Sequence, residues 1–222
     1  MAYVLGYLYA DGSLEDASYL RGKYVRVSSV EKENIIKIKN WLNSAHTIVN
    51  KKPTSKNGRL GYLLRIGSHM LYDDLVKLGL YPNKSLTIKF PKIPKKFLSH
   101  FVRGYFDGDG SVMIQRAKGK TQKFILKKLS VVFTCGSEVF LEKLAEEVKK
   151  VIKTDQEKVY KGDKAFMLSY STGDSVKIFK FLYGTDTKEI FSQRKFNIFC
   201  DYFKRRPQRV DEEIKNIILM VG

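Results

Sequence analysis

Two aspartates, Asp11 and Asp109, stand 98 residues apart, and each is followed directly by glycine and serine. The first lies in the run VLGYLYADGS (residues 4–13) and the second in VRGYFDGDGS (residues 102–111). Gly6/Gly104, Tyr7/Tyr105, Asp11/Asp109, Gly12/Gly110 and Ser13/Ser111 match at constant offset. If both runs are helices, Gly12 and Gly110 suit the left-handed residue that ends a helix. The carboxylates then lie in the last turns, beside the free carbonyls of Ala10 and Gly108 and the negative end of the macrodipole. Hard oxygens gathered without a basic partner suit a divalent cation such as Mg²⁺. A carboxylate pair of that kind could assist phosphodiester hydrolysis.

Two simpler readings compete. The string DGDGS resembles the start of a calcium-binding EF-hand loop, but Val112 stands where the sixth-position glycine belongs and Lys118 where the twelfth-position glutamate belongs. A glycine cap alone would account for one copy. Two copies with matching surroundings require a duplication.

The elements around the aspartates repeat in the same order. Glycine inside a helix costs about 1 kcal/mol relative to alanine, so Gly6 and Gly104 need a reason. Each lies four residues before a small residue, Ala10 or Gly108, a spacing that lets two helix backbones approach closely. The two runs should therefore pack against each other, with Val4, Leu5, Leu8, Val102 and Phe106 turned into their own halves. Alternating stretches at 23–29 and 126–134 read as strands, and 31–44 and 137–152 as amphipathic helices. Further strands follow at 48–52 and 60–67, and at 158–161 and 166–171; short helices at 68–78 and 174–182 close the halves. The expected architecture is α+β, an αββαββα repeat built twice. Residues 1–80 form the first repeat, 81–96 a proline-containing linker, 97–206 the second repeat and 207–222 a C-terminal tail.

Composition narrows the partners. The chain of 222 residues carries a formal net charge of +18. Residues 1–97 hold 17 basic and 7 acidic side chains, so the excess is spread over both halves. A nucleic acid is the economical counter-charge, with an anionic membrane surface as the rival. No apolar run is long enough to span a bilayer. The apolar start lacks a basic leader and is expected to be a structural helix. Cys135 and Cys200 form no CxxC pair, and with three scattered histidines they complete no zinc site. That usage fits a reducing, intracellular compartment.

With both runs in view, the sequence resembles the LAGLIDADG homing endonucleases, specifically their two-repeat single-chain type. The family signature maps onto residues 4–12 and 102–110. The resemblance implies two pseudo-symmetric halves, each with a curved antiparallel sheet in a DNA-binding saddle, and signature helices at their interface. It implies a monomer that cuts both strands of a long asymmetric double-stranded DNA site, in the service of intron homing. Metal would be held by Asp11 and Asp109, with the Ala10 and Gly108 carbonyls adjacent. Mg²⁺ would be the cofactor, Mn²⁺ a substitute, and Ca²⁺ would support binding without cleavage. A basic residue late in each repeat, Lys84 and Lys195, would complete the catalytic set, with Arg194 a rival to Lys195. The first copy departs from the signature in carrying Tyr9 where the second keeps the acid Asp107. A non-cleaving DNA-binding regulator, or a maturase acting on intron RNA, is the alternative. An intein is disfavoured by a chain that starts Met-Ala and ends Met-Val-Gly.

Strand alternation divides core from groove face. Val25 and Val27 should point inward, leaving Tyr24, Arg26 and Ser28 outward. Leu60, Tyr62, Leu64 and Ile66 inward would leave Arg59 and Arg65 outward. In the second repeat Leu129, Val131 and Phe133 are expected in the core and Lys128, Ser130 and Thr134 on the groove face. Phe166, Leu168 and Tyr170 likewise leave Ser169 and Ser171. Such side chains read base edges and grip phosphates, while basic loops at 51–56 and 118–123 should contact phosphate.

Overall fold

A helix that ends on a buried glycine and turns at once into a strand opens each half of the chain. In the computed structural model, α1 (Ala2–Asp11) leads into β1 (Gly12–Ala17), β2 (Gly22–Ser29), α2 (Lys32–Trp41), β3 (Ile48–Lys51), β4 (Gly61–Gly67) and α3 (His69–Lys77). The second series is α4 (Leu98–Asp109), β5 (Gly110–Lys118), β6 (Phe124–Cys135), α5 (Glu138–Ile152), β7 (Val159–Lys161), β8 (Phe166–Tyr170) and α6 (Thr172–Tyr183). Then come α7 (Gln193–Arg205) and α8 (Glu212–Val221). The structure describes all residues except 21, 54–58, 119–123, 156–157, 186–189 and 222, and only the backbone at 20, 116–118 and 124–127. The basic loops at 51–56 and 118–123 thus fall largely outside the described residues.

The chain divides into two compact units, Met1–Gly108 and Asp109–Gly222. Each holds a four-stranded antiparallel sheet, in the order β1-β2-β4-β3 in the first and β5-β6-β8-β7 in the second. Helices α2 and α3 cover one face of the first sheet, burying Val25, Val27, Leu64 and Ile66. Helices α5 and α6 do the same in the second, over Leu129, Val131, Phe133, Leu168 and Tyr170. Local chemistry sets the ends. Ser68 and Ser137 cap α3 and α5 by accepting from the N–H groups of Leu71 and Phe140. Asn43 and Lys153, at positive φ, turn the chain out of α2 and α5.

All but the last residue of α4 belongs to the first unit, because α4 packs on α1. A β-carbon on Gly6 would lie 1.9 Å from the Phe101 carbonyl oxygen, and one on Gly104 2.0 Å from that of Tyr3. The glycines therefore allow backbone-to-backbone contact. Val4, Leu8, Val102 and Phe106 are buried as expected, whereas Leu5 is only half-buried.

Several expectations need correcting. Gly12 is extended, at φ −83° and ψ 152°, and its N–H returns to the Leu8 carbonyl. Gly79 is the glycine at positive φ among the described residues, so neither Gly12 nor Gly110 is a left-handed cap. Gly12 is glycine because a β-carbon there would sit 2.5 Å from the Leu8 carbonyl oxygen. Strand β4 begins at Gly61, so Leu60 is 45% exposed rather than inward and Arg59 precedes the strand. Ser171 is likewise not in a strand; it is the exposed N-cap position of α6. Helix α7 adds an element beyond the αββαββα pattern. Its Phe196, Phe199 and Phe203 join Phe179 and Tyr183 in an aromatic core, with Phe179 and Phe203 centroids 4.9 Å apart. In the tail, α8 buries Ile214 and Ile217 and packs on α6. No described helix is long and apolar enough to cross a membrane.

Candidate active site

Both signature aspartates end helices. Asp11 is the last residue of α1 and half-buried; Asp109 is the last of α4 and exposed. Within the first unit, the close approach of α1 and α4 extends to their C-termini. A β-carbon on Gly108 would meet the Ala10 β-carbon at 2.4 Å and the Asp11 Oδ2 at 3.3 Å. Glycine at 108 is therefore required by the contact of its backbone with Ala10, beside the Asp11 carboxylate. Tyr7, one turn back in α1, is buried. Burial lifts its hydroxyl well above the usual tyrosine range, and the Asp11 charge lifts it further. It stays a neutral phenol beneath the carboxylate.

Each unit also sends a buried lysine to the end of a signature helix. Lys84 is 5% exposed and donates to the carbonyls of Tyr9 at 2.8 Å and Ala10 at 3.3 Å. Lys195, 3% exposed on α7, donates to the Gly110 carbonyl at 2.6 Å. The expectation of acceptors without a basic partner is thus corrected: the Ala10 carbonyl already has an ammonium beside it. A buried ammonium is costly unless compensated, and helix-end carbonyls compensate it well. Arg194, the rival to Lys195, is exposed. Among the described residues no three His, Cys, Asp or Glu side chains gather as a metal cluster.

The position at which the two copies differ is structural in both. Tyr9 is buried, donates to the Leu78 carbonyl at 2.6 Å and packs edge-on against Phe101. Asp107 accepts from the Tyr3 hydroxyl at 2.8 Å, and the fully buried Arg103 lies over the Tyr3 ring. Sequence reasoning did not single out Arg103, since periodicity marks apolar faces and this arginine lies on one.

The sheet faces opposite the helices carry most of the expected groove-facing residues, with Arg59 and Ser171 lying outside the strands. In the first unit Tyr24, Arg26 and Ser28 are half-buried, and Arg59 and Arg65 exposed. In the second, Lys128, Thr134 and Ser169 are half-buried. Ser130 departs from the expectation: it is 3% exposed and its Oγ donates to the Tyr170 carbonyl at 3.2 Å. A hydroxyl spent on the neighbouring strand is not offered to a ligand. Glu15 on β1 went unread in the sequence, yet it is a centre of this face. Its carboxylate accepts from Arg65 Nε at 3.2 Å and Nη2 at 2.9 Å, and lies 3.6 Å from Arg26 Nη1.

Comparison with known proteins adds to this geometry. Residues 96–184 match a family model described as a LAGLIDADG-like domain. No curated protein matches the sequence. Among solved structures, the chain is similar to the meganuclease I-SmaMI bound to uncleaveable DNA, at 13% identity. That match covers 98% of this chain and 95% of the other with a TM-score of 0.60. It is similar to the I-LtrWI LAGLIDADG homing endonuclease bound to target DNA, at 13% identity over 98% and 94% of the chains, TM-score 0.59. Mesophilic variants of the homing endonuclease I-DmoI match at 18% identity over 83% and 90%, TM-score 0.55. At such identities the likeness establishes the fold, two αββαββα repeats in a single chain.

Proposed function

We propose that this chain, whose fold is that of the single-chain LAGLIDADG homing endonucleases and whose residues 96–184 are a LAGLIDADG-like domain, is a site-specific, metal-dependent endonuclease acting as a monomer on both strands of an asymmetric double-stranded DNA site. The observation that carries the reading is an aspartate and a buried lysine brought to a helix end, twice. Each repeat ends a signature helix on an aspartate, Asp11 or Asp109, and delivers a buried lysine, Lys84 or Lys195, to a carbonyl at that helix end. Two DNA-bound structural relatives and a net charge of +18 support the choice of ligand.

The donor set fits a hard divalent cation. Asp11 and Asp109, each at the end of its own signature helix, would hold the metal, with the Gly108 carbonyl adjacent. Bound Mg²⁺ would supply an activated water and neutralise charge on the phosphate. Lys84 and Lys195, fixed by main-chain carbonyls, would face that developing charge without reorganising. The half-buried and exposed polar residues of the two sheet faces would contact bases and phosphates.

The test is plasmid cleavage in Mg²⁺ beside a mobility shift in Ca²⁺ for wild type, Asp11→Asn, Asp109→Asn and the double variant. Each single variant should lose double-strand cleavage by about a hundredfold or more, with slow nicking of one strand allowed. DNA binding should be unchanged or tighter, because a carboxylate near phosphates is removed. A double variant that still cuts refutes the assignment of these aspartates.

A further inference from the structure

Four side chains on the open face of the first sheet form a unit that general DNA binding does not require. Arg26 and Arg65 are directly opposed across β2 and β4, an arrangement in which like charges repel. Glu15, on the third strand, relieves it by bridging both. Tyr24 provides the floor: the Arg65 guanidinium carbon lies 3.4 Å from the Tyr24 ring centroid, within stacking distance. Two glycines make room for that ring. A β-carbon on Gly22 would lie 2.5 Å from Tyr24 Cε2, and one on Gly67 3.2 Å from Cε1. Arginine is thus held on two sides, by an aromatic plane and by a bidentate carboxylate.

The geometry of the fork decides what it can still do. Glu15 takes Nε and one edge of Nη2. A guanidinium has five N–H donors in a rigid plane, so the end-on edge formed by Nη1 and the second Nη2 proton is a parallel donor pair that Glu15 does not take. That edge matches the O6 and N7 acceptors of guanine in the major groove. The second sheet does not repeat the unit at the matching positions. By register, Glu15, Tyr24, Arg26 and Arg65 correspond to Met113, Ser130, Val132 and Ser169.

We infer that Arg65 reads a guanine in the half of the DNA site bound by the first repeat, with Glu15 and Tyr24 as positioning residues that hold its fork. The inference rests on the DNA-endonuclease reading and adds a base to it. The unmatched chemistry of the second sheet means that this guanine has no symmetry mate in the target.

The experiment is a binding selection from a randomised DNA library with the whole protein in Ca²⁺, for wild type, Arg65→Lys and Glu15→Gln. Wild type should select guanine at one position by about ten- to a hundredfold over other bases. Arg65→Lys keeps the charge but loses the fork, so the preference at that position should collapse. Preferences elsewhere should persist, and they serve as the control for folding. Glu15→Gln should weaken the same preference several-fold while non-specific affinity holds or rises. A guanine preference that survives Arg65→Lys overturns the inference, as does a position that responds to Glu15→Gln alone and selects cytosine. A wild type with no base preference anywhere overturns the endonuclease reading as well, which separates the two failures.

Discussion

A lysine ammonium buried against main-chain carbonyls is an uncommon residue environment, and Lys84 and Lys195 provide one in each unit. Lys84 and Lys195 contribute little to stability as buried charges, since apolar replacements of similar volume are often neutral or stabilising. Under the proposed function their part is chemistry at the helix ends rather than packing. Lys84→Met and Lys195→Met should each leave the thermal midpoint unchanged or slightly higher, while cleavage falls at least about tenfold and Ca²⁺-supported binding stays. Melting curves and plasmid assays on the same preparations check this. A fall in stability with cleavage intact would make the lysines structural. Tyr9 and Asp107 illustrate the opposite case: their side chains are spent on Leu78 and Tyr3, away from the carboxylates at 11 and 109.

Among the elements, the α1–α4 contact decides most. Its small residues bring the helices together at Gly6, Gly104 and Gly108, the last of these beside Asp11. Gly6→Ala removes a helix-interior glycine, which alone would stabilise by up to about 1 kcal/mol. It also drives a methyl to 1.9 Å from the Phe101 carbonyl oxygen, which is backbone and cannot swing away. The clash should win, with a net loss of about 1–3 kcal/mol, measurable by denaturant unfolding. Unchanged or raised stability would mean that the helices can separate at little cost. The same elements show where pattern reading stops. Helix α7 was missed because Phe196, Phe199 and Phe203 complete a core whose other members, Phe179 and Tyr183, are on α6. An alternation carried back to Leu60 oversteps the strand, which begins at Gly61.

For the whole molecule, charge and duplication act together. With +18 spread over both repeats, DNA affinity should fall steeply with salt. The log–log slope is about 0.9 per phosphate neutralised. Titrations between low and moderate salt measure it, and an affinity indifferent to salt would exclude a polyanionic ligand. The two sheet faces differ at matching positions, where Glu15, Tyr24, Arg26 and Arg65 in one unit correspond to Met113, Ser130, Val132 and Ser169 in the other. That difference accords with an asymmetric target.

The sequence by itself determined the duplication, the helix ends at Asp11 and Asp109, and the strand faces that bury Val25, Val27, Leu129 and Val131. These follow from local periodicity and from one constant offset, and such signals survive without coordinates. Tertiary structure alone decided that Gly12 is extended, that Lys84 occupies the Ala10 carbonyl, that Ser130 is spent on Tyr170, and that Glu15 joins Arg26 and Arg65. Each of these depends on which strand or helix lies beside which. Glu15 and Arg65 are 50 residues apart, and only sheet register brings a carboxylate from β1 to an arginine on β4.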